Sequence, residues 1–364
     1  MPKKALVYSL DTVGHSCWHI RANDPLQALA TDYAITWGVN RTRNWLYKHT
    51  AISSRHIASA DLIIVQRFFP QRRTKAVMQK LKSAAAPVIF DLDDNLIGLP
   101  QDHRDYPCLF KAQALQEMQA FAPYADAITV STSVLAEEMS RYSPNVHLLP
   151  NLINDQLWAR GTRSEDGKLR ILFGGTPTHT QDAMMIEDVL VELCRRYPDR
   201  LAFTFMGCVT ERLAALPGAR YIEFQPSYPD YARCLQAEPI DLAVVPLEDL
   251  SFNRSKSNIK WLEYSICGIP GVYSAIAPYA EVQQGRTGLL ARTATDWLEA
   301  LDVMVREPDL RRTLAEEARR DVLARFSLSR QVHRYAAFYE SAIDAKRKQT
   351  GIKQNIFSRW FASF

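Results

Sequence analysis

The sequence has no paired cysteines. Its six, Cys17, Cys108, Cys194, Cys208, Cys234 and Cys267, are scattered without a CxxC pair. That spacing signals neither a zinc site nor a disulfide framework, and reduced thiols in the cytoplasm are the simple reading. A long apolar run is missing too. No segment approaches the ~18 apolar residues of a membrane-spanning helix. The basic start MPKKALVYSL carries too short an apolar stretch for a signal peptide and reads better as a first strand. Charge of one sign is scarce: 44 Lys and Arg stand against 40 Asp and Glu, a net +4. This is too mild to mark a nucleic-acid binder, and no nucleic-acid partner is expected. It suits a protein that handles phosphorylated substrates or touches anionic lipid. Short repeats and low-complexity tracts are absent.

What remains is a globular composition, 47% hydrophobic and 23% charged over 364 residues, long enough for two domains. Short apolar runs alternate with helical patterns. Strands are expected at 5–9, 61–66, 87–91, 127–131 and 146–149, and helices at 24–31, 74–85, 112–121 and 132–141. Asp24 would cap its helix, with Pro25 at the first helical position. A polar stretch at 159–168 reads as a linker. The pattern then restarts, with strands at 169–173, 201–206, 221–224, 241–245 and 271–274, and helices at 182–197, 228–236 and 259–267. Strand–helix–strand repeats predict parallel sheets covered by helices on both faces. Three helical patterns follow, at 295–306, 308–325 and 329–346, and then a basic, aromatic tail. The expected domains are 1–158 and 169–330, with 331–364 as a terminal helix and tail.

Open parallel sheets bind ligands at the carboxyl ends of their strands. The most informative stretch there is 252–270, FNRSKSNIKWLEYSICGIP. Positive side chains at a helix N-terminus suit a diphosphate. Lys256 and Lys260 are four apart and would share a helix face. Glu263 lies near that face, where it could accept hydrogen bonds from a ribose diol. An ordinary solvated helix face is the alternative.

Here the sequence resembles the GT4-like glycosyltransferases (glycosyltransferase group 1) of the GT-B superfamily. The residues that carry the resemblance are Glu263, Cys267-Gly268-Ile269-Pro270, Val272-Tyr273-Ser274, Glu281 and Gly285-Arg286-Thr287-Gly288-Leu289-Leu290, with ADAITVSTSVLAEEM and LLPNLIND before them. They span Ala125 to Ala291. The resemblance implies an α/β fold of two Rossmann-like domains facing a cleft, with C-terminal helices. It also implies transfer of a sugar from a nucleotide-sugar, with Glu263 on the ribose. The sequence departs from the pattern at Ser255, where the family has a first glutamate. It departs again after the first strand of the second domain, where Gly174–Asp182 replaces the usual Arg and Lys. The diphosphate would then fall to Lys256 and Lys260, with Arg254 beside them.

Around these, Gly174, Gly175, Thr176, His179, Ser255 and Asn258 complete the expected donor site. The glycine pair would let backbone amides approach a phosphate, or would simply make a tight turn. In the first domain, Asp91 and Asp93 spell a DxD sequence that a different transferase fold uses to hold a metal. Here Asp93 or Asp94 is expected to face the acceptor, with a cap or turn as the alternative. Asp11, Gly14 and His15 follow the first strand, where the resemblance implies that they face the acceptor, and His15 is the candidate general base on its hydroxyl, or else a structural or exposed histidine. The catalytic set is therefore His15, Asp93, Lys256 and Lys260.

The expected activity is metal-independent hexosyl transfer without a cofactor, to a glycan or lipid-linked acceptor in cell-envelope polysaccharide synthesis. The alternatives are a nucleotide-sugar epimerase of the same fold and a non-catalytic glycan-binding protein. The expected location is cytoplasmic. The tail at 346–364 either touches the inner face of a membrane, with Gly351 ending the preceding helix, or frays or packs back onto the first domain.

Overall fold

The computed structural model describes residues 1–361 apart from 12–13, 39–53, 102, 104–105, 108–112 and 163–166, and side chains as far as residue 350. Part of the expected linker, the start of the helix expected at 112, and the tail side chains therefore lie outside the described residues. Contacts divide the chain into two compact units. One comprises Met1–Val13, Cys17–Pro150 and Gln331–Phe364, and the other Gly14–Ser16 and Asn151–Arg330.

The first unit holds β1 (Lys3–Tyr8), β2 (Tyr33–Trp37), β3 (Leu62–Gln66), β4 (Val88–Leu92), β5 (Ala127–Val130) and β6 (Val146–Leu148). They form one sheet in the order β2-β1-β3-β4-β5-β6, and every pairing is parallel. The apolar runs make β3 and β4 buried at every position, as a strand covered on both faces requires. Tyr8, Ile63, Phe69, Phe90 and Phe121 are among the residues of its core.

One strand is unforeseen here and two expectations change. The strand β2 had no sequence signal strong enough to separate it from the helix before it. Asp24 is not a cap. It follows a wider helical turn, His19–Asn23, and accepts hydrogen bonds from His19 Nδ1 at 2.8 Å and Asn23 Nδ2 at 2.9 Å. The last helix runs His333–Phe361 through Gly351 without a break, since a mid-helix glycine costs only about 1 kcal/mol relative to alanine. That helix packs on the first unit through buried Tyr335, Tyr339 and Ile343. Its Glu340 takes Lys3 and the Tyr33 hydroxyl.

The second unit holds β7 (Leu169–Gly174), β8 (Leu201–Met206), β9 (Ala219–Ile222), β10 (Leu242–Val245), β11 (Gly271–Ser274) and β12 (Leu289–Ala291). Their order is β12-β11-β10-β7-β8-β9, again all parallel. From β7 the chain first steps outward through β8 and β9, then returns to the other side for β10. The order reverses between β7 and β10, and that switch point is where an open α/β sheet binds ligands. The strand expected at 221–224 lies two residues earlier, and β12 emerges from what read as a glycine-rich turn.

Among the described residues, no helix is long and apolar enough to cross a membrane.

Candidate functional site

The carboxyl end of β7 gathers a set of polar side chains, His179, Asp182 and Lys260. The strand ends at Gly174, and a short turn, Pro177–His179, leads into the helix Thr180–Met184. The backbone is tight here. A Cβ at Gly175 would stand 2.8 Å from His179 Cβ, and one at Gly207, whose φ is +84°, would stand 2.3 Å from the Gly175 carbonyl oxygen. Glycine is what permits both approaches. The Gly175 N–H donates to the Met206 carbonyl at 2.9 Å, so that amide is already engaged.

His179 Nδ1 lies 2.6 Å from Asp182 Oδ2, and Asp182 Oδ1 accepts the Glu248 N–H at 2.8 Å. Both oxygens of this buried carboxylate are thus held, which fixes the imidazole ring. Burial, reinforced by the Lys260 charge, pushes the His179 pKa down to about 4, against the pull of Asp182. At neutral pH the imidazole is uncharged.

Lys260 comes from the first turn of the helix Ile259–Ile266, between β10 and β11 in sequence. Its ammonium donates to the Gly174 carbonyl. Burial lowers its pKa, while Asp182, Cys208 and Glu263 support the charge. Lys256 does not share that helix face as expected. It precedes the helix, in the turn after Ser251–Arg254, with its ammonium 4.8 Å from the Phe252 ring centroid. It still acts electrostatically on both His179 and Lys260.

Glu263 sits one turn after Lys260 and is 5% exposed. Tyr231 donates its hydroxyl to Glu263 Oε2 at 3.2 Å. Tyr231 stacks with Tyr228, whose hydroxyl takes the Trp158 indole N–H at 3.2 Å. Burial raises the Glu263 pKa to about 7, eased by the tyrosine hydroxyls and by Lys260.

The remaining expected donor residues divide. Ser255 is fully buried and donates to the Phe252 carbonyl at 2.7 Å, which is a structural use. Asn258 starts the helix with its carbonyl, accepting from Trp261 and Leu262. Thr176 is exposed and bonds Thr178 at 2.7 Å. Arg254 is exposed and paired bidentately with Asp249, at 2.7 and 3.1 Å. Glu281 is ion-paired with Arg325.

In the first unit, Asp91 ends up as a structural group. Arg21 grips it with two contacts, Nη2–Oδ1 at 2.6 Å and Nε–Oδ2 at 3.2 Å, and Thr129 donates to Oδ1 at 2.7 Å. Arg21 also reaches the Leu149 carbonyl and Tyr335. A carboxylate so occupied is a poor metal ligand. Asp93 contacts Arg67 Nε at 3.2 Å, and Asp11 contacts Arg67 Nη1 at 3.5 Å. Arg67 follows β3 with a left-handed φ of +50°, an unfavourable conformation for a side chain of this size. Tyr8 Oη, Asp11 Oδ2, Gln66 Oε1, Arg67 Nε and Asp93 Oδ1 are all buried without a good hydrogen bond. Asp94 is half-buried beside them in sequence, with its carbonyl bonded to Leu96 N–H at 2.8 Å. Gly14, at φ +100°, and the half-buried His15 are grouped with the second unit, where the Gly14 carbonyl accepts from Tyr228 N–H at 2.6 Å.

Residues 188–337 match the family described as glycosyl transferase-like. Sucrose-phosphate synthase from Thermosynechococcus elongatus superposes with a TM-score of 0.68 at 15% identity, over 94% of this chain and all of that one. Anabaena HepE in complex with UDP and glucose gives 0.65 at 14% identity, over 93% of this chain and all of that one. The α,α-trehalose 6-phosphate synthase of Burkholderia multivorans gives 0.60 at 12%, over 96% and 98%. The fold is GT-B. Over residues 188–337 this GT-B chain is also glycosyltransferase-like in sequence. No curated protein matches it in sequence.

Within the GT-B frame, sequence reasoning missed Asp182 as the partner of His179, Tyr231 on Glu263, and Arg67. Only Asp182 had a legible signal, three residues after a histidine at a helix start. Tyr231 and Arg67 reach their partners through tertiary packing.

Proposed function

We propose that this chain transfers a glycosyl group from a nucleoside-diphosphate sugar to an acceptor hydroxyl. The observation that carries the reading is the convergence of Lys260, Lys256, His179 and Glu263 at the switch point of the second sheet. The cations balance charge on the departing diphosphate, which is transition-state stabilisation in a desolvated place. Glu263 accepts from the ribose hydroxyls, with Tyr231 steadying its carboxyl. The HepE structures contain UDP and UDP-glucose, so uridine diphosphate sugars are the first donors to try. The lysines take the charge-balancing role that a metal plays elsewhere, so the reaction proceeds without a metal or cofactor. Acceptor recognition falls to the first unit, at Asp11, Asp93 and Asp94, and a saccharide that is free or lipid-linked, as in cell-envelope glycan assembly, is the proposed acceptor. His15 is the proposed base on its hydroxyl.

The tail has a weaker claim on a membrane. Lys346 binds Asp126 at 2.7 Å, and Arg347 lies 3.5 Å from Asp61. Its first two basic residues thus spend their charge on the first unit.

The test is a thermal-shift panel of nucleoside diphosphates and their sugars, followed by donor turnover with and without saccharide acceptors. A stabilising nucleotide with acceptor-dependent turnover supports transfer. Turnover of donor alone to an isomeric nucleotide-sugar would replace it with epimerisation. Binding of glycan with no nucleotide bound would leave a non-catalytic protein.

A further inference from the structure

His179 carries no charge at neutral pH while the site is without an anion, yet it is built with care. Its Nδ1 faces Asp182 at 2.6 Å. A carboxylate accepts hydrogen bonds, so Nδ1 carries the hydrogen and Nε2 is left with a lone pair. Among the described residues, no hydrogen-bond partner meets Nε2. The charged groups that face the ring are Asp182 from its own turn and Lys260 and Lys256 from the segment after β10. Cys208 and Glu263 lie one step further, coupled through Lys260. The two ammonium groups oppose a third positive charge while nothing anionic is bound.

A bound diphosphate reverses that balance. Its several negative charges would outweigh the two lysines, and a phosphate oxygen requires a donor where Nε2 now offers a lone pair. We propose that His179 is a conditional third cation of this site: it takes up one proton as a nucleoside diphosphate settles against Lys256 and Lys260, and its Nε2–H donates to a phosphate oxygen while Asp182 holds Nδ1–H. The proton comes from solvent and adds to the Nε2 lone pair, and no covalent bond to the ligand forms. Asp182 is a positioning residue in this scheme, since it sets the tautomer and supports the imidazolium. The inference rests on the proposed donor site and adds to it a proton linked to ligand binding. The same device would favour release: above neutral pH the imidazolium loses its proton readily, and the product diphosphate is held by two cations only.

The experiment is titration calorimetry of the full chain with uridine, adenosine and guanosine diphosphates at about pH 7.5, in two buffers of different ionisation enthalpy. The apparent enthalpies report the protons taken up. At that pH the wild type should take up roughly half a proton more than His179→Gln, rising towards one at lower pH. The nucleotide's own titration and that of Glu263 are common to both proteins and drop out of the difference. Between about pH 6.5 and 8.5, wild-type affinity should fall by roughly tenfold more than that of His179→Gln. Asp182→Asn should lower both the affinity and the proton uptake. A readout on the wild type alone guards against a variant that fails to fold: one histidine ring signal in the NMR spectrum should move from its neutral to its imidazolium position on saturation. Equal proton uptake by wild type and His179→Gln, or no ring that changes state, overturns the proposal while leaving the donor site standing. No binding of any of the three nucleotides to the wild type overturns both.

Discussion

Lys260 donates its ammonium hydrogen bond to the carbonyl of Gly174, joining the helix after β10 to the end of β7. The lysine is half-buried, and its partner is a neutral backbone oxygen. Such a contact satisfies the charge weakly and leaves it available to a stronger anion. Lys260→Met, which keeps the stem and removes the charge, should lower kcat by about ten- to a thousandfold. Affinity for the nucleoside itself should change far less. Steady-state kinetics against donor concentration checks this, and a variant with wild-type kcat places the leaving group elsewhere.

Glu263 makes stability depend on pH. Its carboxyl titrates at about 7 in the folded chain, against about 4.3 when unfolded. The folded state therefore binds the extra proton between those values, and stability from this group is lost as pH rises through that window. Glu263→Gln mimics the protonated form and should not show the loss. The stability difference should move in favour of the Gln variant by up to roughly 3 kcal/mol from about pH 4.5 to 7.5, read from urea midpoints without ligand. A constant difference across the range would show that Glu263 ionises normally. The same variant should weaken uridine diphosphate binding by about tenfold or more, since a charged hydrogen bond to the ribose is lost.

Asp91 and Asp93 look alike in sequence and behave differently in the fold. Asp91 is tied to Arg21 and Thr129, and burial, which works against the Arg21 charge, is more than offset by that carboxylate. Removing one partner strands the other charge, a loss of about 3–5 kcal/mol. Asp91→Ala should therefore destabilise the first unit strongly, with the midpoint of thermal unfolding as the measure. Turnover should survive chelation with EDTA, because the pair is not arranged to hold a metal. Loss of activity with EDTA, restored by Mn²⁺ or Mg²⁺, would contradict that assignment.

Much of the architecture was legible because buried parallel strands leave a strong trace. DLIIVQ and PVIFD have no other comfortable environment than a sheet covered on both faces. Strands such as β2 and β12 are short or half-exposed, and their sequences do not separate from the turns around them. At the site, Lys260 and Glu263 could be read from helical spacing, because both lie on one short helix. Lys256 could not, since the chain turns before that helix begins, and four-residue spacing has no meaning across a turn. Arg67 and Tyr231 were out of reach for a different reason. Each meets its partner from an element distant in sequence, and no local pattern encodes such a meeting.

Arg67 provides the last test. It stands directly after β3 in a left-handed conformation, with its backbone N–H bonded to the Asp91 carbonyl at 2.8 Å. Its guanidinium contacts both Asp11 and Asp93. Burial disfavours its charge, but Asp93, Cys17, Asp11 and Asp94 together raise its pKa well above the usual arginine value. The arginine thus makes it possible for the two carboxylates of the proposed acceptor site to stay close together. Arg67→Met should leave them facing each other uncompensated, at about 3–5 kcal/mol of stability. Arg67→Lys keeps a charge but not the planar fork, and should recover only part of that loss. Because the proposed nucleotide residues lie in the other unit, uridine diphosphate affinity should be unchanged in both variants, while kcat/KM for the acceptor falls. Unfolding midpoints, calorimetry and acceptor kinetics on the same preparations decide it. A variant that loses nucleotide affinity in step with acceptor turnover would show that the two units do not divide the work in this way.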